Sequence, residues 1–589
     1  MSSSFQQCPY ILVPMETIMP GRDSLNPFTT PDQMTLRDVL EKIEADANLP
    51  VQRRRNICSS MRTLAKHANR DPVGIPAHAV YLRDLFKRLH PEQCGLTAKR
   101  IGNIKSNLLF ALRRVGCIHQ GHSYMAPFTL EWQKLWDRAA CAGPLRRYLS
   151  RLMHYFSAAG IAPDEVNDAV SDRFLKALEE ESFVRDPRKT HRDSCKLWNK
   201  AVGLVPGWPP HELSPPRYRK TYTYPWDTFP KDFRDEVEAL FARWAVTNIL
   251  DDQGPMKPLK PKTLSSRRYR LRQIASALVH QGTHIEDITY LAQLVEIDTA
   301  KSALTFFLDR NGGKTSSQIH GLAVIIKVIA KHWVGVDEGH LASLGDICRR
   351  LDPGNTGLTA KNRERLRQFD DSRNVGLLLD FPRRQVEAVR HRDRGLRGDA
   401  VAVQIALAVE LLLMAPIRAE NLVNLSIDRH IQRSRTGRDG IVHLVIPGAE
   451  VKNGEPLEFP LPKSTVALMD IYMKDYQHRL VDRPSPLLFP GRKGKPKTRE
   501  LFGDQVSKHV FKATGLRVNL HLFRHIAAKL YLDRNPGGYE VCRRVLGHRS
   551  METTTRFYAG METAAASRHF DEEILKLRSE LRGPGQPAP

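Results

Sequence analysis

The sequence predicts a mainly α-helical, multidomain chain with one small β-sheet or hairpin towards its C-terminal end. Apolar residues recur at helical spacing through residues 35–350. Proline- and glycine-rich joints divide that helical array into modules, and one strand-rich patch lies around residues 440–462. Length agrees, because 589 residues at about 100–200 per domain give roughly three to five domains.

Taken in order, Thr35 is placed to cap a helix whose apolar stripe is Leu36, Val39, Leu40 and Ile43. Three stretches then share an outline: a basic amphipathic helix, a turn, a short helix and a further basic helix. They run from Arg53 to Gly116, from Leu145 to Gly203 and from Ser265 to Gly335. They read either as repeats of one small module or as the chance likeness of any helical array. Arg53, Arg54 and Arg55 cluster in the first, and Arg267, Arg268, Arg270 and Arg272 in the third. The third cluster is the candidate DNA-binding set, each neutralised phosphate adding about one unit to the salt slope; the bland alternative is a solvated face. Residues 203–224 hold too many prolines for continuous helix, and residues 352–357 form another joint. The expected division is a helical module over 1–120, a second module and Pro-rich linker over 121–225, a helical domain over 226–350 and a C-terminal domain over 376–589. The closing GPGQPAP is expected to be disordered.

Composition narrows the function classes. Hydrophobic residues at 41% and charged residues at 26% exclude a wholly disordered chain. A net charge of +25, from 90 Lys+Arg against 65 Asp+Glu, points to a polyanionic partner, most often nucleic acid. The N-terminus has no basic region leading into an apolar core, so no signal peptide is expected. The run from Ala402 to Ile417 is interrupted by Gln404, Glu410 and Pro416 and is short of a bilayer span, so it reads as a buried helix. Eight cysteines with no CxxC pair fit reduced thiols in a cytoplasmic protein.

The last third carries the chemistry. In LLLMAPIRAENLVNL, Arg418 follows an apolar run and Pro416. HLFRHIAAKLYL opens a helix on which His521 and Arg524 share one face. RRVLGHRSMETTTRFYAG contains His548 and Tyr558. Between them, in EVKNGEPLEFPLP, Asn453-Gly454 signals a two-residue hairpin with Lys452 at the tip of the first strand. Each element alone is weak: a lone arginine usually caps, HxxR arises by chance, and a tyrosine at a helix end usually packs.

Together and in this order they resemble the tyrosine recombinase (phage integrase) family, over roughly residues 380–565. That family's set is Arg, hairpin Lys, HxxR, a His or Trp in an LGH-like motif, and a nucleophilic Tyr. The matching residues are Arg418, Lys452, His521, Arg524, His548 and Tyr558, with Leu488–Pro490 and RHIAA resembling the flanking pattern. There are departures. Asn421 stands where an acidic residue often follows the first arginine, Pro416 replaces a usual glycine, and the His548–Tyr558 interval is one residue longer. Lys463 competes with Lys452 on the same patch.

The resemblance implies a C-terminal tyrosine-recombinase catalytic domain and a core-binding helical domain near 262–335 that clamps DNA opposite it. It implies a site-specific DNA recombinase, integrase- or transposase-like, working through a covalent 3′-phosphotyrosine. Guanidiniums are the natural metal-free partners of a phosphodiester gaining charge, which suits Arg418 and Arg524. His548 adds a hydrogen bond, His521 is the expected acceptor of the Tyr558 proton, and Lys452 the expected donor to the leaving 5′ oxygen. No cofactor is expected: GGKTSS fails the P-loop pattern at Leu308, and His521 and His525 lack a third metal ligand. Phe570, Ile574, Leu577 and Leu581 form a stripe that either packs on its own domain or, as in the family, docks on a neighbour in a DNA-bound homotetramer, with related recombinases as further candidate partners. Double-stranded DNA is the expected partner and no membrane is. Two alternatives remain open: a type IB topoisomerase-like nicking-closing enzyme, and a non-catalytic accessory DNA-binding protein.

Overall fold

The computed structural model describes residues 34–118, 127–139, 145–215, 221–246, 258–354, 357–392, 394–433, 440–558 and 563–581. The N-terminal 33 residues and the GPGQPAP tail lie outside them. The chain divides into two compact units, one built from residues 1–216 together with 360–589 and the other from 217–359.

Two helical cores fill the first part of the larger unit. Thr35 caps the Leu36–Ala45 helix through a capping box with Asp38. That helix, Val51–Ala68, Ala79–Arg88 and Ala98–Arg114 enclose Leu36, Met61, Leu64, Leu82 and Leu108, all fully buried. Leu130–Ala139, Leu145–Ala158, Asp168–Glu180 and Pro187–Val202 enclose Trp132, Phe156, Phe174 and Trp198. Arg83, 5% exposed, joins the two cores. Its guanidinium donates to the carbonyls of Leu178 (3.0 Å), Glu179 and Ser182 (2.9 Å) at the end of the 168–180 helix, where a cation complements the helix dipole.

Among its described residues the smaller unit is helical: Lys231–Ala245, Pro261–His280, Leu291–Val295, Ile297–Arg310, Ser317–Ile329 and Glu338–Leu351 around Leu271, Leu291, Leu322 and Ile329. Three joints in the chain are built alike. A residue with positive φ ends a long helix (Asn69 +51°, Gly160 +68°, Gly282 +101°). A 3₁₀ turn starts three residues later, at Pro72, Pro163 and Ile285. A buried β-branched residue follows three beyond that: Ile75, Val166 and Ile288.

The remainder of the larger unit surrounds Arg397–Met414, a helix buried on nearly every side. Gln404 within it is 0% exposed and donates to the Tyr472 hydroxyl at 3.0 Å. Among the described residues no helix is long and apolar enough to cross a membrane. Packed near it are Lys463–Asp475, Arg499–Thr514, Leu522–Leu532, Tyr539–Leu546 and Met551–Tyr558, followed by Thr563–Leu581. The sheet is antiparallel, in the order β1 (Ile431–Arg433), β2 (Val442–Ile446), β3 (Leu457–Pro460). Val442, Leu444, Ile446, Leu457 and Phe459 face inward, the alternation a half-buried sheet requires.

The hairpin differs from expectation. The β2–β3 ladder ends at the Ile446–Leu457 pair, and Pro447 and Pro456, which lack the donor that would continue it, flank the connection. Residues 447–456 therefore form a long connection with a 3₁₀ turn at Gly448–Glu450. A second turn follows, closed by Gly454 N–H donating to Val451 O at 3.1 Å. Asn453 and Gly454 occupy its third and fourth positions, so Lys452 sits in a turn rather than at a strand tip. A Cβ on Gly448 would overlap the Gly454 carbonyl, so only glycine fits where the two turns cross.

Candidate active site

Arg418 sits at the N-terminus of the five-residue Ala419–Val423 helix, directly after Pro416 breaks the buried helix. It is half-buried, and desolvation pulls its pKa below the usual arginine value. Arg524, 4% exposed on the 522–532 helix, donates to the carbonyls of Pro416 and Leu546, both at 2.6 Å. Burial, then the charge of Arg418, lowers its pKa to about 10. The two guanidiniums are thus close enough for each charge to act on the other.

His548 lies 3.4 Å from Arg524, its Nε2 facing a guanidinium that only donates. Nε2 is therefore the acceptor, and Nδ1 carries the proton it shares with Thr554 Oγ1 at 3.0 Å. Desolvation, then Arg524 and Arg418, pushes the His548 pKa down to about 4. His521, at the exposed head of the 522–532 helix, is also held low, by desolvation first and then by Arg524, Arg418 and Arg499.

Tyr558 closes the cluster. It is the last residue of the 551–558 helix, 1% exposed, and lies within electrostatic reach of Arg524. Its hydroxyl is hydrogen-bonded to His525 Nδ1 at 3.0 Å, not to His521, the acceptor expected from sequence. Burial raises the phenol's pKa, so it is neutral at pH 7. Burial and the surrounding cations hold His525 at about 3, leaving a neutral imidazole beside the phenol. Lys452 is exposed in the turn before Asn453.

Asn453 ties that turn to the site. Its Nδ2 donates to Gly547 O at 2.7 Å, and its Oδ1 lies at 3.5 Å from Arg418 Nη1, the limit of a hydrogen bond. Asn421, where the family often has an acid, donates to Glu450 O at 3.0 Å and anchors the same connection. Sequence reading missed His525, Asn453 and Thr554. His525 is visible four residues after His521, but only the fold shows what it faces.

The other predicted cationic set lies in the smaller unit and is half-buried. Arg267 lies over the Trp244 ring (4.7 Å), and Arg268 pairs with Glu238 (2.6 Å). Arg270 donates to Gly321 O (3.2 Å), and Arg272 lies over Tyr269 (5.3 Å).

No family model matches the chain. Among curated proteins it is 26% identical over 160 residues to the tyrosine recombinase XerD of Pseudomonas putida, covering 27% of this chain and 50% of that protein. It is 25% identical over 158 residues to the XerD of Pseudomonas aeruginosa, covering 26% and 49%. Over these residues the chain is similar to the tyrosine recombinases. It spans about half the length of the curated tyrosine recombinases it matches. Among solved structures it is similar to a lambda integrase dimer bound to a COC′ core site, at 14% identity and a TM-score of 0.33, covering 55% of this chain and 94% of that one. It is also similar to the XerH recombinase bound to palindromic difH substrate, at 15% identity and a TM-score of 0.33, covering 59% and 95%.

Proposed function

We propose that the chain is a site-specific DNA recombinase that cleaves and rejoins strands through a 3′-phosphotyrosine. The observation that carries this reading is the convergence of Arg418, Arg524 and His548, none paired with a carboxylate among the described residues, beside a tyrosine bonded to a neutral imidazole. The two guanidiniums take the non-bridging oxygens of a phosphodiester, each worth several kcal/mol by analogy with the roughly 3–4 of an oxyanion-hole donor. The Tyr558 oxygen forms a bond to phosphorus while its proton passes to His525. The P–O5′ bond breaks, and Lys452 protonates the departing oxygen. The reverse attack by a 5′-hydroxyl restores the diester, so the ester bond is conserved and nothing is hydrolysed. His521 assists at the phosphate from the site's rim.

Residues 226–350 serve as the core-binding domain in this reading, with Arg267, Arg268, Arg270 and Arg272 offered to DNA. The 563–581 helix carries exposed Phe570 (66%), Ile574 (42%) and Leu577 (50%). An apolar groove of about 190 Å³ on the catalytic part is lined by Leu379, Met414, Val541 and Val545. Docking of that helix into the groove of a neighbouring copy builds the multimer on DNA.

A nicked suicide duplex carrying the recombination site tests the chemistry. The expected product is a covalent protein–DNA adduct mapping to Tyr558, absent in Tyr558→Phe. An undiminished adduct in that variant overturns the assignment.

A further inference from the structure

We propose that residues 36–118 form a second contact surface for duplex DNA, centred on the seam between the 51–68 and 98–114 helices. This rests on the recombinase reading above and adds a site to it.

The two helices together hold ten Lys and Arg and no Asp or Glu. Residues 34–118 carry 16 Lys+Arg against 7 Asp+Glu, whereas the neighbouring module over 127–215 is near balance at 13 against 12. The seam is also built rather than merely solvated. Asn107, 7% exposed, donates to Ser60 Oγ (2.8 Å) and Asn56 O (3.3 Å) and accepts from Arg53 (3.1 Å). Arg53 lies over the Phe110 ring, and Arg100 donates to Ser59 Oγ at 3.2 Å. Both guanidiniums are thereby oriented by neutral partners, and neither pairs with a carboxylate among the described residues. On the flanks the pattern is ordinary, Arg62 pairing with Glu44 and Arg114 with Asp46. Oriented, unneutralised cations on a helix pair are what phosphate contact needs.

Duplex is favoured over single strands because stacking platforms need exposed aromatic rings. The large hydrophobics exposed in this module are Val51, Val73 and Val80, and Phe110 is covered by Arg53. The surface is fixed to the catalytic part of the same compact unit. His90 Nε2 meets Lys512 O at 3.2 Å, its ring lies against Phe511, and Glu92 pairs with Arg384 at 3.1 Å. A duplex held here is therefore tethered to Arg418 and Arg524.

The test uses full-length protein carrying Tyr558→Phe and the salt dependence of its binding to a long fluorescent duplex. Neutralising Arg53, Arg55, Lys99 and Arg100 to Gln is expected to lower the slope of log K against log salt by three to four, at about 0.9 per phosphate. A second variant, Arg55→Gln with Lys99→Gln, leaves the seam's hydrogen bonds intact and is expected to lower it by about two. Unchanged slopes in both overturn the proposal. So does an equal loss per charge on neutralising Lys196 and Lys200 in the balanced module, or an effect confined to RNA or to an acidic protein. Adduct formation at Tyr558 is scored separately in the parent. If the adduct is missing while the slopes fall, the recombinase reading fails and this surface stands; if the adduct forms while the slopes hold, this surface alone fails.

Discussion

Arg524 is a buried cation whose donors go to two carbonyls and an imidazole, with Arg418 as its neighbour in charge. Burying such a charge without a carboxylate is costly, and an incoming anion relieves the cost. Millimolar sulfate or phosphate at constant ionic strength is therefore expected to raise the melting temperature, and Arg418→Gln to shrink that rise. Scanning fluorimetry reads both. The histidines give a pH dependence of definite sign. His525 and His548 have folded-state pKa values near 3 and 4, below the roughly 6.5 they recover on unfolding. Between pH 6.5 and 4 the unfolded chain binds about two more protons, so stability is full above pH 6.5 and falls with acid. Melting temperatures across that range should fall less steeply in His525→Gln. The same substitution is expected to slow adduct formation about 10²- to 10⁴-fold with little change in DNA affinity; a parental rate would remove His525 from the proton transfer.

At the level of elements, the 447–456 connection decides where Lys452 stands. Gly448→Ala drives a methyl into the Gly454 carbonyl, and about 1–3 kcal/mol of destabilisation is expected from such overpacking, with slower cleavage as the turn opens. A substrate with a bridging 5′ sulfur isolates the proton donor, because a thiolate leaves without one. Lys452→Ala should cleave it at nearly the parental rate while failing on the ordinary diester. Lys463→Ala should be unaffected on either substrate. The sequence disclosed the helices well, since stripes such as Leu36/Val39/Ile43 depend only on local spacing. It also disclosed the order of Arg418, HxxR, His548 and Tyr558. The hairpin tip was misread because an Asn-Gly pair signals a tight turn only where the ladder reaches it, and the prolines keep it away. His525 was invisible as a partner of Tyr558 because their bond spans 33 residues and exists only once the 551–558 helix docks.

Across the whole molecule, the larger unit is assembled from chain segments on either side of residues 217–359. Gly515, with φ +78°, ends the 499–514 helix against the His90 ring, and a Cβ there would meet His90 Cγ at 2.7 Å. Gly515→Ala is expected to loosen this joint, read as faster hydrogen exchange in Pro91–Cys94 and Arg499–Thr514 with the Leu145–Ala158 core unchanged. That joint also has a history in time. His90 and Lys512 are 422 residues apart, so at about 5–20 residues per second the ribosome delivers the second roughly 20 to 80 s after the first. Through that interval the nascent His90 shelf stands uncovered, and whatever guards it until translation catches up becomes part of how this protein is made.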